Sequence, residues 1–379
     1  MQNSYRKNTL ALAALLAIGG TALSTAASAQ TAVAMPSSVT VYGRIDLAFE
    51  ANSNGSTNRT AIENFSSRLG FKGDKSFNGD LKGIFQLETG VAPDDGTNQS
   101  KAWASRNSFV GLSSASMGSL IVGTNDMPLK SMEGTATALW GEGDLQELII
   151  HGKGSKSATN TAGVGAFDNI HTRKTNVLLY TSPKFADVVA KLAYSPDEAS
   201  KYASQVVAGA PAYAQNMVGA SLYWDNGTYN AGYAYQSLDN AIAPTATTSG
   251  YSLTGNKATF GLKMSNWSAG VALSTIDNGN TKKTNNWIIS GAYILGQTTL
   301  KASYGASSES SSGAADDLTA TAIEADYAFD KDFTIYTYYA VINNSKKAKG
   351  SFAAADNFPA VVNAGDTPTA LGFGIRYNF

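Results

Sequence analysis

The sequence predicts an all-β fold, a transmembrane antiparallel β-barrel of 16 strands, and three observations carry that expectation. Segments of about ten residues alternate apolar and polar side chains along nearly the whole chain, as in a ribbon with one greasy and one wet face. Short turns and long polar loops alternate strictly between those segments. Beyond the amino terminus no apolar run approaches the roughly 20 residues that a membrane helix needs, so a helical membrane protein is excluded.

The first residues are set apart. Arg6 and Lys7 precede the apolar run Thr9 to Ile18, and small residues lead to Ala27-Ser28-Ala29. This is the pattern of a cleaved signal peptide, 1–29, and its apolar run is too short to span a bilayer. A second compatible site ends at Ala34. Residues 30–379 are then expected to form one barrel domain.

Strands are expected near 39–50, 65–74, 80–90, 105–114, 117–125, 173–182, 186–195 and 217–225. The series continues at 228–237, 257–264, 267–276, 285–294, 297–306, 319–329, 332–342 and 369–379. In 39–50, Val39, Val41, Ile45, Leu47 and Phe49 share a face with Gly43, while Tyr42, Arg44, Asp46 and Glu50 share the other. In 80–90 Leu81, Phe85 and Leu87 oppose Lys82, Gln86 and Glu88, and Ile84 breaks the polar side. Residues 267–275 align Trp267, Ala269, Val271 and Leu273, and 319–329 align Ile323, Ala325, Tyr327 and Phe329. The last segment aligns Leu371, Phe373, Ile375, Tyr377 and Phe379 opposite Gly372, Gly374, Arg376 and Asn378. Loops such as 51–64, 91–104, 196–216, 238–256 and 343–368 are long and polar.

An even strand number puts both termini at the short-turn, periplasmic end of an outer-membrane barrel. Closure pairs every backbone N–H and C=O that hydrocarbon would leave unsatisfied. Tyr293, Tyr304, Tyr327, Phe329, Phe333 and Tyr377 lie near strand ends, where aromatics form interfacial girdles. A secreted sandwich or solenoid alternates as well, but its loops would not run short and long by turns.

Composition narrows the function. There is no cysteine, so disulfides do not hold this exported chain together. Formal charge is −1, or −3 without Arg6 and Lys7, and no basic excess points to nucleic acid. The only histidines are His151 and His171, and neither lies on an expected strand beside a serine, as a barrel hydrolase would require. Nor do they have carboxylates at metal-ligand spacing, so neither metal nor cofactor is expected. Lys282-Lys283 and Lys346-Lys347 fall in outer loops, solvated or against lipopolysaccharide.

The stretches "SSVTVYGRIDLAFE" (37–50), "SSRLGFKGDKSFNGDLKGIFQLETG" (66–90), "RNSFVGLSSASMGSLIVGTND" (106–126), "RKTNVLLYTSP" (173–183) and "GFGIRYNF" (372–379) together resemble the trimeric general porins of beta-proteobacteria. The resemblance implies a homotrimer in the outer membrane that passes small hydrophilic solutes and ions. It also implies a third loop, here about 126–172, folded into the lumen. Tyr377 and Phe379 are similar to the terminal signature read by the barrel-assembly machinery. Arg68, Arg106 and Arg173 match positions that line the family's constriction as a positive ladder.

The residues add to this. Arg68 and Lys72 share a face opposite Leu69 and Phe71, so they are expected to point at water. The facing of Arg106 and Arg173 stays open, because "SFVGL" and "NVLLY" are apolar on both faces. Asp126, Glu133, Glu142, Asp144 and Glu147 are expected to oppose the arginines across the pore. Such a field orients dipolar solutes, and the three arginines lead to an expected weak anion preference that the loop acids oppose. A channel specific for a sugar, phosphate or organic acid on the same barrel is the alternative, ahead of a barrel hydrolase.

Overall fold

The computed structural model describes residues 37–77, 79–94, 103–138, 148–150, 170–197, 213–242, 244, 247, 250–277, 279, 282–352 and 363–379. The expected signal peptide lies outside them. Among the described residues the strands are β1 (Ser37–Ser53), β2 (Asn58–Asn64), β3 (Arg68–Ser76), β4 (Lys82–Gly90), β5 (Ser108–Ser114) and β6 (Gly118–Asp126). They continue as β7 (Arg173–Thr181), β8 (Val188–Ser195), β9 (Met217–Asp225), β10 (Tyr229–Ile242), β11 (Tyr251–Lys263) and β12 (Trp267–Asp277). The last are β13 (Lys283–Leu295), β14 (Thr298–Ser307), β15 (Leu318–Ala328), β16 (Phe333–Asn344) and β17 (Thr369–Asn378). Two single-turn helices, α1 (Pro128–Ser131) and α2 (Thr135–Ala138), lie between β6 and β7. No described helix is long and apolar enough to cross a membrane.

All strands form one antiparallel sheet that closes on itself. β1 pairs with β17 from Arg44↔Asn378 to Ser53↔Thr369. Backbone bonds between Gly43 and Phe379, 2.9 and 3.1 Å, extend the seam to the last residue. A Cβ at Gly43 would collide with the Phe379 ring, so the bare glycine is the notch that seats it.

β2 and β3 are two arms of one wall strand, which makes the barrel sixteen-stranded. Both pair with β1, β3 along its first half and β2 along its second. Between the pairs Arg44↔Arg68 and Leu47↔Asn64, β1 advances three residues and its partner four. The extra residue is a bulge, with Ser66 at φ 62°. Side chains mend the ladder there: Asp46 N donates to Ser67 Oγ at 2.9 Å and Ser67 N to Asn64 Oδ1 at 3.0 Å.

The structure corrects two of the expected loops; within 238–256, β10 runs on to Ile242 and β11 starts at Tyr251. Residues 51–64 were expected as loop, but β1 runs through Ser53 and β2 returns from Asn58. Asn54 closes the hairpin by accepting from the N–H of Ser56 and Thr57 at 3.0 and 2.7 Å, with Gly55 at φ 96°. Polar residues crowd both faces of this stretch, so alternation gave no strand signal. At the short-turn end, Asp80 clips two turns together by accepting from Ser114 Oγ (2.8 Å), Ser116 N (3.0 Å) and Ser116 Oγ (2.9 Å). Those bonds hold its carboxyl below the usual carboxylate range.

The two faces divide as alternation demands. Phe49, Val110, Leu222, Phe260, Ile289, Ile323 and Phe373 are each more than half exposed on the outside. A surface this apolar belongs against lipid, not water. Inside, Asp46, Gln236, Lys257, Thr259, Asn286 and Glu324 are buried. At the short-turn rim, the rings of Tyr327, Phe329, Phe333, Tyr377 and Phe379 form a chain of contacts 5.1–6.0 Å apart. That is half of a girdle.

Three substitutions test this arrangement. Ile289→Arg, midway along β13 on the outer face, should destabilise the barrel in bilayers by about 2–4 kcal/mol, and Leu295→Arg at the rim by about 0–1 kcal/mol. Denaturant unfolding from vesicles reads both; equal costs would contradict a lipid-facing surface. Gly43→Val should lower stability by about 1–3 kcal/mol through overpacking against Phe379. The same unfolding curves, with the heat-sensitive gel shift, check it.

Candidate functional site: a basic strip on the inner wall

The bulge decides which way the second wall strand points its charges. Glu63 is opposite Ala48 and Arg68 is opposite Arg44, both inner-face positions of β1. Arg68 is five positions after Glu63, an odd number, so in a regular strand they would face opposite sides; the bulge absorbs one residue and puts both on the inner face. Arg44 and Arg68 are direct cross-strand partners. Arg376 is opposite Asp46 across the closing seam, and Asp126 is opposite Arg173. Arg106, just before β5, donates its backbone N–H to the Glu88 carbonyl at 3.0 Å. Arginines from β17, β1, β3, the foot of β5 and β7 thus form a strip along the wall.

Carboxylates answer some of these cations. Asp46 accepts from Arg376 Nε at 2.8 Å and lies 4.0 Å from Arg44. Glu88 pairs with Arg106 at 2.5 Å. Asp126 pairs with Arg173 at 3.1 Å, and Asn107 bridges them, accepting from Arg173 Nε at 2.8 Å and donating to Asp126 at 2.9 Å. The Arg68 side chain has no hydrogen bond or ion pair among the described residues; the charges of Arg44 and Arg106 act on it, opposed by that of Glu88. Lys72 lies 5.0 Å over the Tyr42 ring.

Three tyrosines hold the acids by one repeated device. Tyr336 on β16 lies across Gly374 on β17 and donates to Asp46 on β1 at 2.6 Å. Tyr338 lies across Gly372 and donates to Glu50. Tyr42 lies across Gly70 on β3 and donates to Glu88 on β4 at 2.9 Å. Only a glycine leaves room for a ring to reach over one strand to the next. Arg376 completes the cluster, 4.9 Å over the Tyr336 ring.

Asp126, expected on the loop facing the arginines, is the last residue of β6 and pairs with Arg173 on the same wall. Glu133 is exposed between α1 and α2. Glu142, Asp144, Glu147 and His151 lie outside the described residues, and His171 is buried at the foot of β7. No group of three or more possible metal ligands occurs among the described residues. Sequence reasoning singled out neither Arg44 nor Arg376. Their polar-face positions were visible, but only the closing register brings them together. It also missed Lys301, which sits 2.7 Å from both Glu324 and Asp326.

The segment after β6 rests on wall side chains. Met127 and Ile170 pack with Ile121, Val177 and Leu179, with Phe109 against them. This dry patch is why "SFVGL" and "NVLLY" are apolar on both faces: one meets lipid, the other the ends of the loop. Pro128 and Met132 lie over Gly219 and Gly232, where a Cβ would come within 2.8 Å. Further along, the Ile150 carbonyl accepts from Ser274 Oγ at 2.6 Å.

Known proteins match this architecture. The family described as "Gram-negative porin" matches residues 11–347. Outer membrane porin protein 32 of Delftia acidovorans is 27% identical, over 99% of this chain and 100% of its own. Major outer membrane protein P.IB of Neisseria sicca is 30% identical, and the chain spans only 43% of its length. Among solved structures, an anion-selective porin from Comamonas acidovorans superposes with a TM-score of 0.71 at 21% identity, covering 91% of this chain and 100% of that one.

Tyr336→Phe should cost about 1–3 kcal/mol of unfolding free energy, because a buried carboxylate oxygen of Asp46 loses its donor. Denaturant midpoints in detergent check this, and an unchanged midpoint would remove the tyrosine from the account.

Proposed function

We propose a function from one premise: this chain belongs to the Gram-negative porin family. That family comprises outer-membrane channels, not enzymes. We infer that the chain is a general diffusion porin, a passive water-filled path for small hydrophilic solutes and ions, assembled as a homotrimer and exported by the signal peptide over residues 1–29. The observation that carries this reading is the closed barrel whose outer face is apolar and whose inner face is charged.

The seating of Pro128 and Met132 on glycines of the wall, opposite the face that carries Leu222 and Tyr233, supports a third loop that narrows the lumen. The inner strip supports weak anion preference. Arg44, Arg106, Arg173 and Arg376 each have a carboxylate partner in Asp46, Glu88 or Asp126, which leaves Arg68 as the wall arginine with no ion pair among the described residues. We infer that Arg68 gives the throat its local cationic excess. In a narrow low-dielectric throat such an excess raises the local anion concentration. The Comamonas porin's described anion selectivity agrees with this direction. Tyr377 and Phe379 serve assembly as well as closure, and Lys282, Lys283, Lys346 and Lys347 are solvated or meet lipopolysaccharide.

Reversal potentials in planar bilayers under a salt gradient test the selectivity. The parent should favour anions weakly and Arg68→Ala should move the ratio towards cations. Clear cation preference in the parent would overturn the anion assignment, and an unmoved ratio would remove Arg68 from the throat.

A further inference from the structure

One side chain of the third loop enters the wall rather than lying on it. Thr135, first residue of α2, is buried together with Ala136 and Thr137. Its hydroxyl accepts from Asn230 Nδ2 on β10 at 2.7 Å, inside the protein. Beneath it are Gly261 on β11 and Gly270 on β12, direct cross-strand partners, and Asn230 is opposite Gly261. A Cβ at Gly261 would lie 2.5 Å from Thr135 Cβ, and one at Gly270 would lie 2.6 Å from the Ala136 nitrogen. Neither glycine has positive φ, so the backbone tolerates other residues and only the space forbids them. The next glycine of the loop, Gly134, is fitted the same way against Thr259.

We propose that this socket, Asn230, Gly261 and Gly270 receiving Thr135, sets the bore of the channel by fixing how far α2 stands from the wall. The inference rests on the channel reading above. A closed barrel is stiff, so any side chain added beneath α2 displaces the helix towards the pore axis instead of expanding the wall. These residues touch no solute; they position the segment that does the sieving.

The test compares single-channel conductance of the full chain in planar bilayers. Gly270→Val should lower it and slow the passage of larger neutral sugars in liposome swelling. Gly291→Val, on the lipid face with only a distant carbonyl nearby, should leave both unchanged. Unaltered conductance in a folded, heat-modifiable Gly270→Val protein would overturn the proposal while leaving the porin reading intact. A silent parent would instead sink that reading. Should Gly270→Val fail to fold, a second variant decides. The chain has no cysteine, so Thr135→Cys with Asn230→Cys can be oxidised without side reactions. A bond that forms and leaves conductance as in the reduced protein shows the socket to be the working position. A bond that fails to form, or that changes conductance, refutes it.

Discussion

Hydrocarbon offers no hydrogen bonds, and that single fact dictates closure of this sheet. An open edge in lipid would leave a row of N–H and C=O groups unpaired at several kcal/mol each. The β1–β17 seam removes the edge, running from Ser53 opposite Thr369 down to Gly43 bonded to Phe379. Everything functional is a consequence. A closed sheet has an inside, and the period-two alternation of each strand then assigns every side chain to lipid or to the lumen.

Inside the ring the problem inverts: polar groups must be satisfied without filling the passage. The tyrosine–glycine–acid bridges solve it at three places with the same geometry. Each ties three successive wall strands and fixes a carboxylate, and two of those carboxylates, Asp46 and Glu88, hold arginines in turn. Two of them span the closing seam, so the device that arranges the charges also reinforces the pairing that makes a lumen possible. Lys301 with Glu324 and Asp326 forms a separate ion cluster on the wall, away from Arg44, Arg68 and Arg106, where Arg68 has no ion pair among the described residues.

Much of this was legible in the residues. Trp267, Ala269, Val271 and Leu273 announce a lipid-facing strand by alternation alone, and Arg68 with Lys72 had to oppose Leu69 and Phe71. Three things were not legible. The bulge at 65–67 depends on Ser66 taking a left-handed conformation, which no local pattern signals. The meeting of Arg44 with Arg376 depends on a register between residues at opposite ends of the chain. The wall under the loop is apolar on both faces, so alternation is silent where Arg106 and Arg173 sit, and only contact with Met127 and Ile170 explains it.

Closure itself can be tested at a single pair. Phe49 on β1 and Phe373 on β17 face each other directly across the seam, in a chain without native cysteine. In the Phe49→Cys, Phe373→Cys protein folded in detergent, mild oxidation should join the two ends of the barrel. The product should be a reductant-sensitive species of altered mobility on a denaturing gel. Folded, heat-modifiable protein that yields no such bond would contradict the closed ring.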